Sequence, residues 1–207
     1  GLFMVPKPEK RIYEFERYGF GLFVHYGLFS IPGQGEWIQN AKSVPVAEYE
    51  KLADSFTAEN FSGEKLAEMA SNAGVKYITF TTRHHDGFSL YDTKGLNSFD
   101  APHSAAKRDL VADFVEGCNK YGIVPFLYHT TLDWRHPAFQ NDFPGYLQYL
   151  RESVKLLCTN YGKIGGFWFD GNWAKDGDWE EDALYGMIRQ YQPEAIIINN
   201  TGLDKLG

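Results

Sequence analysis

The 207-residue sequence has only two cysteines, no dense run of lysine or arginine, and no apolar stretch long enough to span a bilayer. Cys118 and Cys158 each sit in an apolar stretch of helical period, which predicts buried free thiols rather than a bridge or a metal site. With 20 basic against 27 acidic residues the formal charge is −7, so a polyanion such as nucleic acid is a poor partner and a membrane surface no better. A neutral or cationic small molecule fits. Six histidines are present, but none falls in the His-x-His or His-x-x-x-His spacing that a zinc site favours, and no glycine-rich phosphate fingerprint follows an apolar strand. The residues therefore call for no metal and no cofactor. The apolar start Gly1 to Val5 gives way at once to the polar segment Pro6 to Glu16, which does not read as a signal peptide and leaves the compartment open.

What is abundant is aromatic: 16% of the chain is Phe, Tyr or Trp, enough for a large core or for a pocket that stacks the apolar faces of sugars. The length allows one substantial domain or a piece of one. Along it, a unit of amphipathic helix, short connection, apolar strand and polar loop recurs four times. Ser62 is the expected N-cap of the first helix, with Phe61 and Leu66 as a staple and Leu66, Met69, Ala70 and Ala73 as its apolar face; the strand Tyr77 to Thr81 follows. Leu110, Val111, Phe114, Val115 and Cys118 form the second stripe, ended by Gly122 and followed by the strand Val124 to Tyr128. Leu147, Leu150, Val154 and Tyr161 mark the third helix, stopped at Gly162, and Gly166 to Phe169 is its strand. In the fourth unit Asp178 and Glu181 form a capping pair, Leu184, Met187, Ile188 and Tyr191 the stripe, and Ile196 to Ile198 the strand.

A further strand, Phe20 to Val24, precedes these, and the alternation predicts a parallel α/β sheet. An open doubly wound sheet and a (β/α)8 barrel both fit that pattern. Each strand delivers polar groups at its C-terminal end: His25, then His84 and His85, then His129, then Asp170, then Asn199 and Asn200. A barrel gathers all of them at one mouth, whereas an open sheet gathers only those beside its switch point, so the barrel is the expected fold. A complete barrel takes about 250 residues, and five strands already occupy this chain, so roughly three units are expected outside it. The chain is expected to be the N-terminal part of a (β/α)8 catalytic domain, with no second domain within residues 1–207.

Asp170 ends an aromatic strand, Gly165-Gly166-Phe167-Trp168-Phe169-Asp170, where a carboxylate is costly unless it is used. A capping or water-facing aspartate is the plain alternative; a nucleophile or stabiliser of a cationic transition state is the functional one. His84 and His85 present two donors from one strand end, against the plain alternative of one buried and one exposed ring. Trp37 reads equally as core or as a platform for a sugar ring, and Glu36 as a second carboxylate or a surface residue. Tyr128, His129 and Trp134 complete a mixed ring of donors and aromatic faces. His103 and His136 fall in polar loops and read as surface residues.

In this order, Phe-Gly-Leu-Phe-Val-His-Tyr-Gly, Glu-Trp, His-His-Asp-Gly-Phe, Leu-Asp-Trp and Trp-Phe-Asp-Gly-Asn-Trp resemble the motifs of family 29 glycoside hydrolases, the α-L-fucosidases, from about Phe20 to Leu203. The resemblance implies a (β/α)8-like catalytic domain and hydrolysis of terminal α-L-fucosides with net retention, acting on a fucosylated oligosaccharide or glycoconjugate; a homo-oligomer is compatible with it. It further implies that Asp170 is the catalytic nucleophile and that Trp168 lines the fucose pocket. His25, Glu36, Trp37, His84 and His85 match positions that hold the sugar hydroxyls and ring. Tyr128 and His129 correspond to a segment often written Tyr-Tyr-Ser. The family's acid/base, a glutamate, is implied to follow the fifth strand, beyond Gly207. A metal-dependent barrel hydrolase using His25, His84, His85 and Asp170, and a non-catalytic fucose-binding relative, are the competing readings.

Overall fold

The computed structural model describes residues 10–19, 21–30 and 50–200. The described chain runs α1 (Lys10–Arg17), β1 (Leu22–Val24), α2 (Gly63–Asn72), β2 (Tyr77–Arg83), α3 (Leu110–Tyr121), β3 (Val124–Thr130), α4 (Pro137–Asn141), α5 (Phe143–Asn160), β4 (Gly166–Asp170), α6 (Glu181–Tyr191) and β5 (Ile196–Asn200). All five strands form one parallel sheet in sequential order, β1-β2-β3-β4-β5. A doubly wound sheet would reverse its order at a switch point, so this topology belongs to an arc of barrel staves.

The two faces of the sheet differ in kind. Ile78, Phe80, Leu127, Phe167 and Phe169 are buried on the face covered by the helices, where Phe80 meets Phe114 of α3 and Phe169 meets Tyr185 of α6. The alternate residues Phe23, Tyr77, Phe126, Tyr128 and Trp168 lie on the concave face, where Phe23 touches Tyr128 and Trp168, and Tyr77 touches Phe126. At the N-terminal end of the strands, Phe15 of α1 packs on Tyr77 and Phe126. The polar segment at the start of the sequence thus contains a helix that the charge pattern concealed.

Helix ends follow local chemistry. Ser62 accepts from the Lys65 N–H, Asp109 from Ala112 and Asp142 from Gly145, and Gly122 closes α3 in the left-handed region at φ 66°. Three expectations are corrected here. Met69 is 56% exposed and the buried face of α2 is Gly63, Ala67 and Ala70, because the stripe advances by one residue when glycine and alanine make the closest contact. Asp178 accepts from the Glu180 N–H rather than capping with Glu181, and α6 starts after a left-handed Glu180 with no side-chain cap. His136 is half-buried: it accepts from Ala138 N–H as the N-cap of α4, and its ring lies 4.4 Å from that of Tyr149. His103 is exposed and paired with Asp100, and both cysteines are free and buried, with burial pushing each thiol up to about 12.

Candidate active site

The C-terminal ends of β1 to β5 bring His25, His84, His85, Tyr128, Trp168, Asp170 and Asn200 into one neighbourhood. A bulge in β2 helps to make it. Thr81 and Arg83 pair with the consecutive residues Tyr128 and His129, leaving Thr82 as the extra residue, with its hydroxyl on the Tyr128 carbonyl at 2.7 Å. The added residue shifts the alternation by one, so Arg83 turns to the helix side, where its guanidinium donates to Ser89 and Ser153, and His84 turns inward to stack on Tyr128.

Asp170 sits at the centre, and donors from two strands and one loop converge on it. Tyr128 Oη donates to Oδ2 at 2.9 Å, Trp173 Nε1 to Oδ1 at 3.0 Å, and Asn200 Nδ2 to Oδ1 at 3.3 Å. His85 Nε2 lies 3.6 Å from Oδ2. These groups orient the carboxylate, and among the described residues no lysine or arginine is in direct contact with it. The chain then turns away at Gly171, whose φ of 132° is closed to L side chains and whose Cβ would sit 2.7 Å from the Leu132 nitrogen. The same turn carries Trp173 back over Asp170 and edge-on to His85, with ring centroids 5.6 Å apart.

The imidazoles form one contiguous group rather than a scatter. His25 and His84 are 4.6 Å apart and His84 and His85 4.3 Å, measured between ring centroids. Burial lowers the His84 pKa to about 3, helped by the neighbouring His85 and His25. Burial also lowers His25, partly offset by the Asp170 carboxylate. These two rings are therefore neutral hydrogen-bonding groups near pH 7. The Tyr128 hydroxyl is pushed up by burial and by Asp170 and stays a donor. Asp86 and Asp133, the buried carboxylates of the adjacent loops, are committed to backbone N–H groups: Asp86 to Phe88, Asp133 to Arg135 and His136. Among the described residues no cluster of three His, Cys, Asp or Glu side chains is arranged to hold a metal ion, and no helix is long and apolar enough to cross a membrane.

One expected ligand is displaced. His129 lies within β3, fully buried on the helix-facing side, with Nδ1 on the Thr130 carbonyl at 2.6 Å and Nε2 against Tyr91 Oη at 3.1 Å. Burial and the nearby Arg83 cation hold it well below its ordinary pKa. It cannot touch a ligand on the concave face. Glu36 and Trp37 lie outside the described residues. Three neighbours of the site were absent from the sequence-based assignment: Phe23, which meets Trp168 and Tyr128; Trp173; and Thr130, hydrogen-bonded to His85. The three-residue step from Asp170 to Trp173 was the available signal for the second.

A family model described as alpha-L-fucosidase matches residues 7–207. The chain belongs to the alpha-L-fucosidase family. It is 30% identical to tissue alpha-L-fucosidase of Mus musculus over 90% of this chain and 47% of that protein. Among solved structures it resembles alpha-L-fucosidase isoenzyme 1 from Paenibacillus thiaminolyticus (36% identity, TM-score 0.81, 91% of this chain and 50% of that one). A bacterial fucosidase with a monovalent iminocyclitol inhibitor superposes with a TM-score of 0.85 at 28% identity, over 95% of this chain and 50% of its own. The chain thus spans about half the length of these relatives, and its five parallel strands correspond to the barrel of fucosidase catalytic domains.

Proposed function

We propose that this chain carries the nucleophile and glycone pocket of a retaining α-L-fucosidase, with fucosylated oligosaccharides or glycoconjugates as substrates. The observation that supports it most is a single carboxylate, Asp170, oriented by Tyr128, Trp173 and Asn200 inside a ring of imidazoles and aromatic faces. The family relationship and the iminocyclitol complex of a relative point the same way. An Asp170 oxygen attacks the anomeric carbon through an oxocarbenium-like transition state as the glycosidic bond breaks, and water later cleaves the glycosyl ester. His25, His84 and His85, with Glu36 and Trp37, hold the sugar hydroxyls and ring, while Phe23 and Trp168 offer apolar surface to the 6-deoxy methyl group. That methyl contributes only about 1 to 3 kcal/mol of selectivity. Retention needs a second carboxyl about 5 to 5.5 Å from the first. Asp86 and Asp133 are engaged elsewhere; following what the family resemblance implies, we assign that role to a glutamate after the fifth strand, beyond Gly207, and read the chain as the N-terminal part of the catalytic domain.

An Asp170→Gly variant of the complete enzyme is expected to lose turnover of an aryl α-L-fucoside by at least about a thousandfold, with azide restoring part of it as a substitute nucleophile. Turnover near the unmodified rate would end the assignment. The 207-residue chain alone is expected to hydrolyse unactivated fucosides poorly, and efficient hydrolysis by it would place the acid/base within these residues.

A further inference from the structure

We propose that Thr130 is a positioning residue that fixes the tautomer of His85, so that His85 Nε2 faces the attacking carboxylate as a hydrogen-bond acceptor for a glycone hydroxyl. The proposal rests on the fucosidase reading for the identity of that hydroxyl, and on geometry alone for the tautomer.

Thr130 is the last residue of β3 and is completely buried. Its Oγ1 lies 2.5 Å from the Leu132 carbonyl oxygen. A carbonyl carries no proton, so two oxygens this close require the threonine proton to lie between them. The hydroxyl has no second proton to give, yet His85 Nδ1 sits 2.7 Å from the same Oγ1. Nδ1 must therefore be the donor, so whenever the ring is neutral Nε2 is its unprotonated nitrogen. Nε2 points toward Asp170 Oδ2 across 3.6 Å.

The consequence concerns the nucleophile. With the opposite tautomer, His85 would aim an N–H at Oδ2 and hold the electron pair that must attack the anomeric carbon. With Nδ1–H, two acceptors face one another, and the group that fits beside them is an O–H donor such as a sugar hydroxyl. Among the described residues the Tyr128 hydroxyl is then the oriented donor to Oδ2. Thr130 is itself held from behind: Tyr91 Oη contacts His129 Nε2, His129 Nδ1 donates to the Thr130 carbonyl, and Thr131 N–H donates to the Asp170 carbonyl at 2.8 Å. The displaced histidine thus supports the site through the backbone of its neighbour, without reaching the ligand.

Long-range proton–nitrogen correlation spectra of the complete enzyme, recorded where the His85 ring is neutral, read the tautomer directly. The expected wild-type result is Nδ1–H; Nε2–H would overturn the proposal without need of any variant. Thr130→Val, which keeps the shape and removes the acceptor, is expected to shift the ring toward Nε2–H and to weaken L-fucose binding about tenfold. Thr130→Ser is expected to restore both. An unchanged tautomer in folded Thr130→Val would overturn the role of Thr130. A wild-type Nδ1–H ring in a complete enzyme with no affinity for L-fucose would keep the Thr130–His85 assignment and overturn the fucoside reading of the site.

Discussion

The Asp170 carboxylate depends on neighbours that do different things, and single substitutions separate them. Tyr128→Phe keeps the ring that stacks on His84 and removes only the hydroxyl donor to Oδ2. A fall of about tenfold to a hundredfold in kcat of the complete enzyme is expected, with little change in thermal stability. A large stability loss with unchanged kcat would move Tyr128 from the site into the core. Gly171→Ala acts the other way. It forces an alanine to φ 132° and drives Cβ against the Leu132 nitrogen, so the turn after Asp170 should lose about 2 to 3 kcal/mol of stability, measured by urea unfolding.

At the scale of elements, α2 and α3 meet through glycine. A Cβ on Gly63 would lie 2.3 Å from the Asp113 carbonyl oxygen, and one on Gly117 2.3 Å from the Gly63 carbonyl carbon. The Gly63 N–H also donates to Asp113, which Arg108 holds from the other side. Gly117→Ala should push the helices apart and cost about 3 kcal/mol, whereas the same change at Gly186, with open space around it, should cost nothing or stabilise α6. This contact explains why the sequence placed α2 correctly and its buried face imperfectly: a hydrophobic stripe weighs Met69 above Gly63, and only packing reverses them. The strands were legible because each is a short apolar run between helical stripes. Their C-terminal ends were not, since β2, β3, β4 and β5 each continue into polar residues. Treating His129 as the first loop residue, rather than the sixth of β3, hid the alternation that sends it to the helix face. The β2 bulge has no composition signal at all, and it decides where Arg83 and His84 point.

For the whole molecule, the buried imidazoles set a pH dependence. His84 titrates at about 3 in the folded state against an ordinary value of 6.5, and His25, His129 and His136 are lowered as well. The unfolded chain binds these protons first as pH falls. Stability is therefore fully present above about pH 6.5 and is lost progressively below it, each such histidine contributing a slope of up to about 1.4 kcal/mol per pH unit. Unfolding free energies measured on either side of that value check the sign; a stability that rises on acidification would contradict the lowered pKa values of these four histidines.

The central claim is that Asp170 forms the bond to the sugar. A 2-fluoro-fucosyl fluoride tests it most directly, because fluoride departs with its electron pair without an acid, and the 2-fluoro group slows hydrolysis of the ester that forms. Proteolysis and mass spectrometry of the treated enzyme should find one added fluorofucosyl group on the peptide carrying Asp170. The same group on a different carboxylate, with the Asp170 peptide unmodified, would contradict the account.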